Sequence, residues 1–271
     1  AITYDEAYKK HGDATAIINT TPCGMYPNIG TSAIDLSRFE NVKSVTDAVY
    51  NPLSSALVIS ARERGINATG GLYMLVSQAA YAVEKFTGCS ISADKTEEVY
   101  REILRDKKNI VLIGMPGCGK TTIGKISADR LHKEFIDTDA EIIKRINMPI
   151  SEYFAKQGEE SFRRLESEVI KEISACRSSV IATGGGAVLN PDNIRLLKEN
   201  GTVIFIDRPL EKLVTTADRP LSSSRELLEK RYKERYGLYC AAADIKIDAV
   251  NEIEQNVKNI EEVFLNENSC N

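Results

Sequence analysis

The sequence is poor in the residues that build zinc sites and catalytic triads. Only His11 and His132 are histidines, and the six cysteines lie far apart without a C-x-x-C pair. Structural zinc sites need clustered cysteines and histidines, and a Ser-His-Asp triad needs a suitably placed imidazole. The composition therefore argues against both kinds of site, and we expect the cysteines to be reduced thiols.

Long apolar runs and an excess of basic residues are also missing. No stretch approaches the roughly 18 apolar residues of a membrane span, and the N-terminus lacks a signal-peptide pattern. With 35 basic and 39 acidic residues, the chain has no surplus of positive charge for a nucleic-acid backbone. We expect a cytoplasmic protein with neither a nucleic-acid nor a membrane partner.

Short apolar runs alternate with amphipathic stretches along the chain, which is typical of a parallel α/β sheet. The pattern predicts strands at 16–20, 44–49, 109–113, 179–183 and 202–206, and helices at 54–64 and 72–86. Because the chain opens with Ala1 and soon enters the first predicted strand, we expect a piece of a longer protein.

The composition changes between Gly88 and Asn109, where the chain becomes polar and loses its strand character. We interpret residues 93–107 as a linker helix. This interpretation divides the chain into a partial Rossmann-like α/β segment over residues 1–92 and a second α/β domain over residues 108–271.

A full phosphate-binding motif follows the predicted strand 109–113. Residues 114–122 read GMPGCGKTT, which is G-x-x-x-x-G-K-[ST] between a strand and a helix. The backbone N–H groups of such a loop form an anion nest at a helix N-terminus. Lys120 would meet the β and γ phosphates, and the Thr121 hydroxyl would ligate Mg²⁺. The remaining nucleotide contacts are expected at Gly117, Cys118, Gly119 and Thr122.

Two carboxylates follow the next apolar run, in the segment EFIDTD. The carboxyl edge of a parallel sheet is where ligands bind. Phosphoryl transfer to a hydroxyl needs one anionic group to orient the O–H and another to hold Mg²⁺ through water. Asp139 and Asp137 could fill these roles in that order. N-capping of a helix at 140–145 is an equally good interpretation of the pair.

Further along the chain, an arginine and a run of glycines suit an acceptor site. Arg163 and Glu166 are three residues apart on one helical face, so the acid can orient the guanidinium to grip a carboxylate. A solvated charge run is the alternative. The predicted strand 179–183 leads into a triple glycine, whose entropic cost implies a backbone that approaches another group closely. Substrate contacts are therefore expected at Gly184, Gly185 and Gly186.

Residues 215–224 have the polar composition of a mobile loop, and a basic helix end follows at 231–239. A lid that closes over ATP excludes water and can deliver an arginine to the transferring phosphate. Arg219 is the candidate for that role. Asp207 ends another apolar run, but we discount it as a magnesium ligand because the Asp137/Asp139 pair already supplies acidic groups.

Taken together, the segments GMPGCGKTT, FIDTD, FRRLE, TGGGAV, DRPL and RYGLY resemble shikimate kinase in their order and spacing. The resemblance implies a P-loop kinase with a five-stranded parallel sheet, which uses ATP and Mg²⁺ to convert shikimate into 3-phosphoshikimate in aromatic amino-acid biosynthesis. It also implies that Asp139 contacts the substrate hydroxyls and that Arg163 and Arg235 bind the shikimate carboxylate. Gly185 would add a backbone contact, and Arg219 would be the lid arginine. Where the family often has Arg-Thr before the lid, this chain has two threonines, so nucleotide selectivity stays open.

The first part of the chain has a resemblance of its own. The segments NTTPCGM, DAVYNP and GGLYMLVSQ resemble the C-terminal part of shikimate dehydrogenase. This implies that Tyr50 and Gln78 face a substrate and that Gly70 lies near a nicotinamide. However, no G-x-G-x-x-G follows a strand, and the family's substrate domain has no counterpart. We expect a vestigial segment of a dehydrogenase-kinase fusion, without hydride transfer, which could contact the missing dehydrogenase part.

Two other functions stay open from the sequence. The second domain could be another small-metabolite P-loop kinase, acting on gluconate or a nucleoside monophosphate, although Arg163, Arg235 and the triple glycine weigh against it. It could also be a nucleotide-gated binding module that shows no turnover with an acceptor.

Overall fold

The protein is described by a computed structural model that covers residues 1–213, 225–249 and 252–267. The chain divides into two compact units. The first contains Ala1–Lys107 and Lys198–Asn200, and the second contains Lys108–Leu197 and Gly201–Asn271. None of the helices in the described ranges combines the length and apolarity needed to cross a membrane.

The first unit is built on a three-stranded parallel sheet with the order β1-β2-β3. Its strands are β1 Ala16–Asn19, β2 Ser44–Asp47 and β3 Asn67–Thr69, and its helices are α1 Tyr4–Lys10, α2 Ala56–Glu63, α3 Leu72–Thr87 and α4 Ala93–Lys107, with a 3₁₀ turn at Leu36–Arg38. A small core forms where α2 packs on the central strand, with Val45, Leu57 and Ala61 almost fully buried. The prediction of parallel α/β structure in this segment is confirmed.

Residues 93–107, which we interpreted as a linker, form α4. This helix packs on α3 within the first unit, where the rings of Tyr73 and Tyr100 meet edge to face with centroids 5.3 Å apart. The aromatic contact gives the helix a packed face, although most of its residues are polar.

The second unit is a five-stranded parallel sheet, as predicted, and the order of its strands is β5-β6-β4-β7-β8. Its strands are β4 Asn109–Ile113, β5 Glu134–Asp137, β6 Ser179–Ala182, β7 Gly201–Asp207 and β8 Ile245–Asp248. Its helices are α5 Lys120–Arg130, α6 Thr138–Ile146, α7 Ile150–Ile173, α8 Pro191–Asn200, α9 Arg225–Ala242 and α10 Ile253–Glu267, with 3₁₀ turns at Ala187–Leu189 and Leu210–Lys212. This is the α/β class expected from the alternation of apolar runs.

The three inner strands explain why the sequence pattern was easy to interpret. Every residue of β4, β6 and β7 is buried, because helices cover both faces of the sheet. Strands in that position have continuous apolar runs instead of alternating ones. The central strand β4 occupies residues 109–113, which are the bounds that the sequence predicts.

The strand order brings three loops to one edge of the sheet. The P-loop follows β4, an aspartate ends β5, and the triple glycine follows β6, which lies between the other two strands. All pairings are parallel, so the carboxyl ends of these strands point the same way. The crossover from β5 to β6 contains α6 and α7, and Gly158 interrupts α7 with φ 78° and ψ 171°.

Candidate active site

Lys120 is folded back into the P-loop. Its Nζ donates hydrogen bonds to the carbonyl oxygens of Gly114 at 2.8 Å and Met115 at 3.1 Å, and the side chain is buried. The ammonium therefore lies inside the loop, at the N-terminus of α5, where a helix favours negative charge. The other predicted nucleotide contacts lie in the same loop or in the first turn of α5: Gly117, Cys118, Gly119 and Thr122.

The Thr121 hydroxyl donates to Oδ2 of Asp137 at 2.8 Å. Oδ1 of the same carboxylate accepts from the backbone N–H of Asp139 at 3.0 Å and of Ala140 at 3.2 Å, so Asp137 is the N-cap of α6. The helix begins at Thr138, two residues before the predicted start. The capping interpretation is therefore right for Asp137, whereas Asp139 lies inside the first turn of the helix.

The same pair suits a magnesium ion bound together with a nucleotide. Thr121 and Asp137 offer a hydroxyl and a carboxylate oxygen beside the P-loop, and hard oxygen ligands of this kind are what Mg²⁺ takes in sites that use one or two protein groups plus substrate phosphates. Across the described ranges, no three histidine, cysteine or acidic side chains cluster closely enough to hold a metal by themselves.

The triple glycine is packed against the other parts of the site. A Cβ on Gly184 would lie 2.6 Å from Oδ1 of Asp139 and 2.9 Å from Oε1 of Glu166, and one on Gly186 would lie 2.0 Å from Nη1 of Arg163. These spacings are far below van der Waals contact, so any side chain would displace a charged group. The sequence predicts that this backbone approaches another group closely. In the structure it approaches the side chains of Asp139, Glu166 and Arg163.

Arg163 is held by two carboxylates. Its Nη1 donates to Oε2 of Glu166 at 2.7 Å and its Nη2 to Oε1 of Glu159 at 3.2 Å, while Nε is buried without a hydrogen-bond partner in the described structure. Burial opposes the charge of Arg163, but the two acids raise its pKa above the ordinary value. For Glu166, burial raises the pKa, Arg163 lowers it and Asp139 raises it again, with a net increase.

Arg235 and Tyr239 both hold the carbonyl oxygen of Gly185. Nη1 of Arg235 donates to it at 3.0 Å and the Tyr239 hydroxyl at 2.6 Å. Tyr239 is fully buried and its ring stacks on Phe205, with centroids 5.2 Å apart. Burial raises the pKa of Tyr239, so the hydroxyl stays a donor at neutral pH. Sequence reasoning missed Tyr239, although its position one helical turn after Arg235 was a usable signal.

Several of these groups line a cavity of about 930 Å³. Its polar lining comes from Asp139, Arg163 and Glu166, the triple glycine, and Arg231 and Arg235 of α9; apolar residues including Ile143, Met148, Phe154 and Phe162 complete it. The sequence did not predict the apolar side or Arg231. Arg219, the predicted lid arginine, lies outside the described residues, as does the rest of the segment 214–224.

The remaining predicted residues have local roles in the structure. Asp207 accepts a hydrogen bond from the Tyr236 hydroxyl at 2.9 Å and pairs with Lys246 at 2.8 Å. In the first unit, Tyr50 is exposed and Gln78 donates to the carbonyl of Leu75 at 3.1 Å. Gly70 lies so close to Leu53 that a Cβ would be 2.8 Å from its carbonyl oxygen.

Comparison with known proteins identifies relatives of the second unit. Residues 116–264 match the shikimate kinase family. The shikimate kinase of Clostridium botulinum (strain Eklund 17B) is 46% identical over 164 residues, which are 59% of this chain and 99% of that protein. A solved shikimate kinase from Acinetobacter baumannii, in complex with shikimate, is 31% identical with a TM-score of 0.58, covering 62% of this chain and 98% of that chain.

A chorismate mutase/shikimate 5-dehydrogenase fusion protein from Clostridium acetobutylicum also matches, with 39% identity. The match covers 37% of this chain and 36% of that chain, with a TM-score of 0.35. The likeness of residues 1–92 to shikimate dehydrogenase therefore rests on their sequence motifs.

Proposed function

The chain belongs to the shikimate kinase family, and on this premise we propose that residues 108–271 transfer the γ-phosphate of ATP to shikimate. The products are ADP and 3-phosphoshikimate, in a step of aromatic amino-acid biosynthesis. The observation that carries the proposal is the cavity in which Asp139, Arg163 and Arg235 lie together beside the P-loop. The Asp139 carboxylate suits an attacking hydroxyl, and the two guanidiniums suit a carboxylate. The site therefore matches an acceptor that has both groups.

On the donor side, the P-loop amides and Lys120 bind the β and γ phosphates. Lys120 is already inside the loop, bonded to the carbonyls of Gly114 and Met115, so it needs only to exchange these weak partners for phosphate oxygens. Thr121 and Asp137 would hold Mg²⁺, which neutralises phosphate charge when it is bound.

On the acceptor side, the two arginines fix the carboxylate and Asp139 fixes the hydroxyl. Glu166 sets the orientation of Arg163, and the Gly185 carbonyl sets that of Arg235. Asp139 accepts the hydrogen bond of the attacking hydroxyl and takes its proton as the new O–P bond forms. Positioning of this kind supplies most of the rate increase in phosphoryl transfer.

The proposed phosphoryl transfer involves no residue of the first unit. Residues 1–92 contain motifs of shikimate dehydrogenase but no G-x-G-x-x-G after a strand, and we propose that this stretch by itself transfers no hydride. The lid role of Arg219 and a cytoplasmic location remain predictions from the sequence.

A coupled assay of ADP release tests the function. The wild type is mixed with ATP and, in turn, no acceptor, shikimate, gluconate or a nucleoside monophosphate, and we expect turnover with shikimate. Lys120→Ala should abolish it because the charge on the transferring phosphate is lost. Asp139→Asn should lower turnover roughly a hundredfold or more, as expected for a lost general base.

Lys125→Ala provides the matched control, since Lys125 is exposed on the same helix as Lys120. It should leave turnover unchanged. ADP release that does not depend on shikimate would contradict the proposal, and preference for gluconate or a nucleoside monophosphate would identify a different kinase. Retained activity in Asp139→Asn would show that Asp139 is not the base. It would not contradict phosphoryl transfer to shikimate.

A further inference from the structure

A third arginine lines the cavity that contains Arg163 and Arg235. Arg231 lies on α9 four residues before Arg235, and residues with this spacing share one face of a helix. Both guanidiniums line the same cavity, and α9 packs against the 3₁₀ turn that follows the triple glycine. Arg231 therefore belongs to the acceptor side of the site by its position.

The three arginines differ in how their charge is compensated. Arg163 pairs with Glu166 and Glu159, and Arg235 donates to the Gly185 carbonyl. Arg231, in contrast, forms neither an ion pair nor a hydrogen bond with any residue in the described parts of the chain.

The surroundings of Arg231 are also unfavourable for a cation. Burial lowers the pKa of Arg231, and Arg235 and Arg163 lower it further, while Glu159 and Glu234 act in the opposite direction. An arginine keeps its proton at neutral pH in spite of such effects. The cavity thus contains a charge that the neighbouring arginines repel, and a bound anion would relieve this repulsion.

The lining of the cavity indicates which anion would bind beside Arg231. Of the P-loop residues, Pro116 lines the cavity but Lys120 does not, so the group proposed to bind the phosphates lies outside it. The anion expected among Arg163, Arg231 and Arg235 is the carboxylate of the acceptor. A guanidinium can grip a carboxylate with two parallel hydrogen bonds.

We propose that Arg231 determines specificity for a carboxylated acceptor by binding its carboxylate together with Arg163 and Arg235. The inference rests on the proposed function and extends it by a residue that the sequence motifs did not indicate.

The test compares Arg231→Met with the wild type on shikimate and on its uncharged methyl ester. Methionine keeps the apolar stem of the arginine and removes the charge. We expect the KM for shikimate to rise about tenfold or more, as for the loss of a charged hydrogen bond, while the KM for ATP stays the same. With the ester, wild type and variant should have the same KM, because the group that Arg231 recognises is missing.

Lys233→Met is the matched control, since Lys233 is exposed on the same helix, and it should change neither constant. Arg231→Lys keeps the charge without the planar fork, and should give a smaller rise in the KM for shikimate. If Arg231→Met does not fold, the comparison of Arg231→Lys with the wild type tests the inference instead.

Three results would overturn the inference: unchanged kinetics in both Arg231 variants, an equal rise in KM for acid and ester, or a rise in the KM for ATP instead. If the wild type itself releases no ADP with shikimate, it is the proposed function that fails. Wild-type turnover combined with unaffected Arg231 variants would disprove the role of Arg231 alone.

Discussion

At the scale of single residues, Glu166 is the group whose environment is most unusual for its type. Its side chain is 2% exposed and pairs with Arg163 at 2.7 Å. Its folded-state pKa lies above the ordinary value of 4.5, because burial and the nearby Asp139 together outweigh Arg163. The stability linked to this increase is present below pH 4.5 and is lost as the pH rises through the raised pKa.

Glu166→Gln should therefore gain stability relative to the wild type as the pH rises, because glutamine imitates the protonated acid and does not titrate. Free energies of unfolding in urea, measured at about pH 4 and about pH 8, will give the difference. Glu160→Gln, at a position 91% exposed on the same helix, is the control and should show no such trend. A difference between Glu166→Gln and wild type that is independent of pH would contradict the prediction.

The sequence predicted the site residues that belong to continuous motifs and missed those that depend on packing. Asp139 lies two residues after β5 and Lys120 follows the P-loop after β4, so their place at the sheet edge follows from the pattern. Tyr239 and Arg231 reach the site because α9 packs beside the triple glycine, which no local motif encodes. Their spacing of four residues on either side of Arg235 would have identified them once that arginine was assigned.

At the scale of secondary structure, two glycines in helices provide a direct comparison. Gly158 interrupts α7 at φ 78° and ψ 171°, a conformation that is almost confined to glycine. Gly237 lies within α9 in ordinary helical structure. At both positions a Cβ would meet nothing within 4 Å, so only the backbone conformation distinguishes them.

The same substitution should consequently have opposite effects at the two positions. Gly158→Ala should destabilise the protein by about 1–3 kcal/mol, since alanine is strained in that conformation. Gly237→Ala should stabilise it by about 0.5–1 kcal/mol, because alanine loses less backbone entropy in a helix. Urea unfolding of both variants measures the two effects, and changes of the same sign would disprove this account of Gly158.

Element boundaries were predictable where burial dominates the sequence. The bounds of β4 were predicted correctly because all five of its residues are buried. Four of them are apolar, and the polar Asn109 marks the start of the strand. The three-residue β3 was not predicted, since so short a strand has no usable periodicity. The break in α7 also escaped prediction, because a single glycine in a helical pattern does not specify its own φ.

At the scale of the whole molecule, the cavity belongs to one unit. All of the residues that line it fall between Pro116 and Arg235, within the second unit, and that unit has its own large core. A chain that starts at Lys108 should therefore keep shikimate-dependent ADP release within a fewfold of the 271-residue chain. Steady-state kcat/KM values for both proteins measure this.

The 271-residue chain should oxidise no shikimate with NADP, which an absorbance assay of NADPH formation would detect. Loss of kinase activity in the shortened chain, or NADPH formation by the 271-residue chain, would mean that residues 1–92 are a working part of the protein.

The crossover from β5 to β6 has a consequence for how the acceptor can change. Within the stretch Thr138–Ile173, α6 and α7 contain Asp139, Arg163 and Glu166, while the residues proposed to meet the nucleotide lie in the loop after β4 and at the start of α5. Most of the residues that line the cavity thus belong to one crossover segment, and Arg231 and Arg235 come from α9. Exchange of this one segment would reshape most of the cavity wall and leave the phosphate-binding loop and the two arginines of α9 unaltered.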